Sequence, residues 1–395
     1  MNAIILQCGG PTAVVNASLA AVVATCQAEP RCARLWGARL GLAGLVAGDW
    51  VELTALSADG LSRLGGQPGA ALGGGRHFLA DEELPAVLAQ LAARRISALF
   101  LIGGNGTMAV AHKVQMAAQA SHYAVDGLPL QVIGIPKTVD NDLTGTDVAP
   151  GYGSAARWIA QTVHDVGLDL RAMRAFDDVV VLEVMGRHAG WLAAAAALAR
   201  SQPADLPDLI LLPEVVFAEE SFLAAVRDRH RRRGICLVVA SEGIRDASGQ
   251  FVAEKLGETE VDGSGQKFLG LAPGVAPYLA SLVRQHLQIR CRRLRPDTIQ
   301  RSSSALASTV DRELAAQVGG AAVSAALRGE TGVMIALARQ APGWTTQPVP
   351  LSDVIGRERL LPAAWLDPAG WGVTEAFLAY ARPLVGALET GSVQF

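Results

Sequence analysis

One stretch of seven residues, Pro136-Lys137-Thr138-Val139-Asp140-Asn141-Asp142, holds an amine, a hydroxyl and two carboxylates. Phosphoryl transfer needs that mixture: a cation to spread negative charge, a carboxylate to take a hydroxyl proton, and a carboxylate to hold Mg²⁺. Capping of a helix by Asp140 or Asp142 would explain one carboxylate but not the lysine beside it. Two glycine turns, Gly9-Gly10 and Gly103-Gly104-Asn105-Gly106-Thr107, each follow an apolar run. Residues without side chains let a phosphate approach backbone N–H groups, and the N-terminus of a following helix favours negative charge. Either turn alone also reads as a tight packing turn; together they point to a polyphosphate.

A further turn, Met185-Gly186-Arg187-His188-Ala189-Gly190-Trp191, sets glycines around a basic pair. Arg187 there suits bidentate binding of a phosphate or carboxylate, whereas His188 reads as structural. Arg292, Arg293, Arg295 and Arg301 form a second basic group, and in a chain of net charge −3 their clustering suggests a discrete anion. Glu242, where an apolar run ends, is placed to accept hydrogen bonds from a sugar hydroxyl; an ordinary surface carboxylate is the alternative.

Short apolar runs must position these groups. Ala3–Gln7, Ile96–Ile102, Leu130–Ile135, Val179–Val184, Leu209–Leu212, Ile235–Ala240 and Gly332–Leu337 lack polar alternation, which predicts strands buried on both faces. Alanine-rich segments of helical length follow several of them (Val14–Cys26, Met108–Ala120, Gly190–Arg200), with a plain alanine helix at Ala193–Ala197. Alternation of this kind predicts an α/β fold of two Rossmann-like lobes with mainly parallel sheets, whose ligands sit beyond the carboxyl ends of the strands. The expected division is residues 1–153 plus about 296–345 for one lobe, 154–295 for the other, and a C-terminal extension over 346–395 packing on both. The basic run Arg227–Arg233 reads as the solvated end of a helix, complementing its dipole.

Composition narrows the function. With 34 Lys+Arg against 37 Asp+Glu, nucleic acid and anionic membranes are not expected partners. Fifty per cent hydrophobic residues supply a large core and exclude wholesale disorder. Five cysteines without a CxxC pair argue against a disulfide framework or a zinc cluster and for a reducing compartment. The longest apolar runs fall well short of the roughly 20 residues a membrane span needs. Met1–Leu6 has no basic segment of the kind that opens a signal peptide, so a cytoplasmic protein is expected.

At these residues the chain resembles the phosphofructokinase family. The matching segments, in the family's order, are CGGPTAVVNASL (Cys8–Leu19), GGNGTM (Gly103–Met108), GIPKTVDND (Gly134–Asp142), PGYGSA (Pro150–Ala155), EVMGRHAGW (Glu183–Trp191), SEG (Ser241–Gly243) and TIQRSSSALAS (Thr298–Ser308). PKTVDND with MGRHAGW is highly specific. GGNGT alone is not, since NAD kinases and lipid kinases carry similar turns, but those families leave MGRHAGW and QRSSS unexplained.

The resemblance implies transfer of a phosphoryl group to the 1-hydroxyl of fructose 6-phosphate in a cleft between the lobes. Asp140 takes the general-base position; an unperturbed aspartate is ionised at neutral pH and accepts a proton without special tuning. Thr138, Val139, Met185, Gly186, Arg187 and Glu242 fall on sugar-binding positions. Arg292 and Arg301 fall on those for the 6-phosphate, one commonly lent by a neighbouring subunit, which implies a homodimer or homotetramer. Gly9, Gly10, Arg76, Gly104, Gly106, Thr107 and Lys137 line the donor side, and Asn105 and Asp142 fall at the Mg²⁺ site. Lysine at 137 goes with inorganic pyrophosphate as donor. Glycine at 106 is the ATP users' residue, where pyrophosphate users usually carry aspartate. Asn105 replaces the family's metal-binding aspartate, and Ala109 stands where another aspartate is frequent. The overall pattern leans to pyrophosphate, with ATP, a non-catalytic sugar-phosphate binder, or another acceptor such as sedoheptulose 7-phosphate as alternatives. A pyrophosphate enzyme would run near equilibrium and serve glycolysis or its reversal.

Overall fold

The computed structural model describes every residue except Arg76, 203–204, 258–268, 270–271, 342 and 392–395. In chain order its strands are β1 (Asn2–Gln7), β2 (Arg34–Ala38), β3 (Trp50–Glu52), β4 (Ile96–Gly103), the two-residue pair β5 (Ala124–Val125) and β6 (Leu128–Pro129), β7 (Gln131–Pro136), β8 (Val179–Val184), β9 (Leu209–Leu211), β10 (Cys236–Ser241), β11 (Cys291–Leu294), β12 (Val333–Gln340) and β13 (Gly343–Pro350). They build a seven-stranded sheet ordered β13-β12-β7-β4-β1-β2-β3 and a four-stranded sheet ordered β11-β8-β10-β9.

The large sheet is parallel from β2 to β12, with antiparallel β3 and β13 at its edges. The small sheet is parallel throughout. Every residue of β4, β7, β8 and β10 is buried, the outcome expected of unbroken apolar runs covered on both faces. Each sheet has its own core: Ile4, Leu99, Leu101, Val132 and Met334 belong to one, and Val179, Val181, Val238, Phe222 and Leu279 to the other.

The chain divides into two compact units, Met1–Tyr152 with Arg301–Glu358, and Gly153–Gln300 with Arg359–Phe395. The residues expected as one C-terminal extension are shared between them. Gly343–Pro350, which begins just before 346, completes the first unit's sheet at its edge, and the helix Glu375–Val385 belongs to the second unit. The helix expected at Gly190–Arg200 is short, Trp191–Ala195 running on as a 3₁₀ turn to Ala199, and all of it is buried. The basic run ends the helix Glu219–Arg233 before Gly234 in a left-handed conformation (φ 75°), with Arg231 80% exposed. All five cysteines are free thiols. Among the described residues no helix is long and apolar enough to cross a membrane.

Candidate active site

In the first unit the chemistry gathers at the carboxyl ends of β1, β4 and β7. Gly9 has φ +72°, a left-handed conformation suited to glycine, and its N–H donates to the Gly75 carbonyl at 3.2 Å. A Cβ on Gly10 would lie 2.5 Å from Arg301 Nη1, so glycine lets the arginine pack on the turn. Gly104 precedes the helix Asn105–Ala120, which puts Asn105, Gly106 and Thr107 in its first turn. That end of the helix favours negative charge. A Cβ on Gly106 would meet nothing within 4 Å, so the space beside it is open.

Lys137, only 5% exposed, follows β7 and reaches across to β1, donating from Nζ to the carbonyls of Cys8 (2.8 Å) and Gly10 (2.7 Å). Burial lowers its pKa to about 8, and the positive charge of Arg301 pushes the same way. Thr138 Oγ1 accepts from the Asp140 N–H (3.1 Å), and Val139 is buried. Asn141 adopts φ 55° with its Oδ1 accepting from the Ala149 N–H at 3.0 Å, so the turn bends sharply between the two aspartates. Asn105 Nδ2 donates to Asp142 Oδ2 at 2.9 Å, while Asn105 Oδ1 and Asp142 Oδ1 are buried without a hydrogen-bond partner. Burial raises the Asp142 pKa, and the charge of Glu358 adds to the rise. Two orphaned hard oxygens on a hydrogen-bonded pair of side chains suit Mg²⁺, which is commonly held by one or two protein oxygens with the rest from phosphates and water. Among the described residues no group of three His, Cys, Asp or Glu could hold a metal. Arg76, expected on the donor side, lies outside the described residues.

In the second unit Met185, Gly186 and Arg187 follow β8 and Glu242 follows β10. Gly186 has φ +130°, and a Cβ there would lie 2.8 Å from the Ala189 carbonyl oxygen. The Ser241 hydroxyl donates to the Gly186 carbonyl, the Glu242 N–H to that of Val184 (2.8 Å), and the Met185 N–H to Gln300 Oε1 (3.0 Å). A Cβ on Gly243 would lie 2.0 Å from the Arg187 carbonyl oxygen, so the turns carrying Arg187 and Glu242 are in backbone contact. Burial pushes the Glu242 carboxyl up to about 7; Glu183 adds to the rise and Arg187 opposes it. His188 sits edge-on to Phe251 with ring centroids 6.4 Å apart, in keeping with a structural role.

The four arginines read as one basic group do not stay together. Arg301 belongs to the first unit, against Gly10. Arg292 belongs to the second, where Asp169 (3.3 Å) and Asp177 hold its guanidinium. Arg292 pairs in register with Val180, four residues before the end of β8. At ~3.3 Å per residue that is roughly 13 Å short of the turn carrying Arg187.

Several residues that shape the site receive no role from a reading of motifs. Gln7 Nε2 donates to Asn16 Oδ1 (2.9 Å), and the pair accepts from Leu72 N–H (3.0 Å) and Ala71 N–H (3.0 Å), tying the loop before Gly75 to β1. Glu214 Oε1 accepts from the N–H groups of Gly190 (2.9 Å) and Leu361 (3.0 Å), fixing the exit of the Arg187 turn. Asp311 Oδ1 accepts from the Gly151 N–H at 2.9 Å. Gln7, Asn16 and Glu214 stand out only as polar residues beside apolar runs, and Asp311, among charged neighbours, does not stand out at all.

Residues 2–326 match the family model described as Phosphofructokinase. The chain belongs to the phosphofructokinase family. Among its relatives in the family is the pyrophosphate–fructose 6-phosphate 1-phosphotransferase of Xanthomonas campestris pv. campestris (strain B100), 41% identical over 393 residues, covering 97% of this chain and 91% of that protein. The sulfofructose kinase of Alkalicoccus urumqiensis is 38% identical over 371 residues, covering 93% and 92%. The solved pyrophosphate-dependent phosphofructokinase from Nitrosospira multiformis superposes with a TM-score of 0.88 at 34% identity, covering 100% of this chain and 94% of that one. The α/β fold with mainly parallel sheets is thus that of its relatives.

Proposed function

We propose that this protein is a pyrophosphate-dependent 6-phosphofructokinase, transferring a phosphoryl group from inorganic pyrophosphate to the 1-hydroxyl of fructose 6-phosphate. The observation that carries the choice of donor is Lys137. Its cation is fixed at the Gly9-Gly10 turn beside the start of the helix Asn105–Ala120, where a small polyanion finds a charge and the N-terminal turn of a helix. The phosphotransferase from Xanthomonas, similar along nearly its whole length, supports the same donor.

In this reading Asp140 accepts the proton of the 1-hydroxyl as that oxygen attacks phosphorus, and the bond to the leaving phosphate breaks. Lys137 carries positive charge to the transferring group and the departing phosphate. Arg187, Met185, Gly186 and Glu242 bind the sugar with Thr138 and Val139, and Arg301 is the side chain assigned to its 6-phosphate. Asn105 and Asp142 are the oxygens that would hold Mg²⁺, which when bound neutralises charge on the phosphates. The placement of Arg292 well below the Arg187 turn supports its serving a neighbouring protomer, and hence a homodimer or homotetramer. The cytoplasm is the proposed location.

Formation of fructose 1,6-bisphosphate, followed in a coupled assay with pyrophosphate and with ATP, tests both the activity and the donor. Product with pyrophosphate and little with ATP is expected; product with neither would leave a sugar-phosphate-binding protein. The 38% identity to a sulfofructose kinase favours a second reading of the acceptor, in which a sulfonate replaces the 6-phosphate. The same assay with sulfofructose as acceptor separates the two.

A further inference from the structure

Three charged residues stand in a row on one face of the small sheet. Leu294 pairs with Leu182, and Ala240 with Glu183. Side chains alternate along a strand, so Arg295, one residue beyond β11, lies beside Glu183, and Glu242, two residues beyond Ala240, continues the same face. Glu183 is only 4% exposed, although it is one residue from the end of a strand otherwise made of valine and leucine.

The carboxylate of Glu183 has two partners. Oε2 accepts from the Ala276 N–H (2.8 Å) in the first turn of the helix Val275–Leu282, where the helix dipole favours an anion. Oε1 lies 3.3 Å from Arg295 Nε. Arg295 is gripped from the other side as well, with Nη1 donating to the carbonyls of Ala272 (3.2 Å) and Pro273 (3.1 Å). The fit is tight enough to exclude a side chain at Gly274, whose Cβ would lie 2.8 Å from both Arg295 Cζ and Glu183 Oε2. Neither residue has a part in the function proposed above.

We propose that Glu183 is a positioning residue for the acceptor site, clamping Arg295 at the start of the helix Val275–Leu282 so that it does not neutralise Glu242. The inference rests on the reading of Glu242 as the group that accepts a sugar hydroxyl. The groups facing Glu242 are Glu183 from β8, Arg187 and the Gly186 N–H from the turn after it, and Arg295 from beyond β11. Burial and Glu183 raise its pKa while the two arginines lower it, leaving it near 7. Removing the Glu183 charge takes away the repulsion and frees Arg295 to approach, and both changes favour the ionised form of Glu242.

Affinity for fructose 6-phosphate, measured by calorimetry between pH 5.5 and 8.5, tests this in three variants. Glu183→Gln keeps the shape and one acceptor for the Ala276 N–H. It is expected to move the acid midpoint of binding down by about one pH unit while kcat at pH 8 stays within about threefold. Arg295→Gln is expected to move the midpoint upward. Titration of the sugar phosphate itself is common to all proteins compared, so it cancels from the shift. Should Glu183→Gln fail to fold, Glu183→Asp decides, since it keeps the charge but shortens the reach to Arg295: a downward shift supports the clamp and an unmoved midpoint overturns it. Unmoved midpoints in the folded variants overturn the proposal. Glu242→Gln separates that failure from failure of the underlying reading: if Glu242 contacts the sugar, this variant weakens binding and flattens its pH dependence, and if binding is unchanged the reading of Glu242 falls with the inference.

Discussion

Lys137 Nζ donates to the Gly10 carbonyl oxygen across 2.7 Å, joining the end of β7 to the glycine turn after β1. A buried cation fixed in this way both holds the turn and presents charge to whatever polyanion the turn receives. Lys137→Met should therefore cost stability and activity together. Leaving the buried carbonyls of Cys8 and Gly10 without their donor costs about 1–3 kcal/mol. A melting temperature lower by several degrees is expected, with a loss of more than about 100-fold in kcat/KM for pyrophosphate. Calorimetry and steady-state kinetics check the two parts, and an unchanged kcat/KM would remove Lys137 from the donor site.

Asp140→Asn should act differently, because it removes a proton acceptor without removing a side chain. The expected loss in kcat is about 10²–10⁴-fold, with KM for fructose 6-phosphate nearly unchanged. A variant that keeps most of its kcat would reassign the base.

Gly106→Asp asks what the open space beside the helix Asn105–Ala120 admits. A Cβ there meets no atom within 4 Å, so folding should be unaffected. The added carboxylate should repel the longer nucleotide and leave pyrophosphate turnover within about tenfold, since one like charge about 4 Å away costs about 1 kcal/mol where water intervenes. Any ATP activity of the parent that survives undiminished in the variant would show that nucleotide phosphates do not pass this position.

The pH dependence of the two substrates should part in opposite directions. Glu242, raised to about 7 by burial, is mostly protonated below that pH, so KM for fructose 6-phosphate should fall as pH rises through 7. Lys137, lowered to about 8 by burial, loses its proton above that pH, so KM for pyrophosphate should rise as pH passes 8. Separate KM profiles for each substrate at saturating partner give both limbs. A pyrophosphate KM that stays flat to pH 9.5 would count against a charged Lys137 as the donor's partner.

Arg292→Ala should raise KM for fructose 6-phosphate about tenfold or more, the scale of losing a charged contact to phosphate. Mixed with Asp140→Ser, itself inactive, it should recover sites with the parent's low KM. A hybrid oligomer then contains sites that combine an intact Asp140 with an intact Arg292 from the neighbour. Hybrids verified by native mass spectrometry that keep only the raised KM of Arg292→Ala would show that each protomer uses its own Arg292.

The buried strands were legible because burial on both faces forces an unbroken apolar run. Val179–Val184 and Ile96–Gly103 can be read directly from residue type, and the turns after them from glycine and charge. Edge strands carry no such constraint. Gly343–Pro350 has two prolines and two threonines, and Cys291–Leu294 reads as part of a basic cluster because its arginines face outward at a sheet edge.

The residue types alone determined the reaction class, since an amine, a hydroxyl and two carboxylates in one turn serve few chemistries besides phosphoryl transfer. Which arginine stands with which partner was decided by tertiary structure. Strand register sends Arg292 to Asp169 and Asp177, Arg295 to Glu183, and leaves Arg301 on Gly10. Ion pairing depends on distances of a few ångströms between residues far apart in the chain, and only the folded sheet sets those distances.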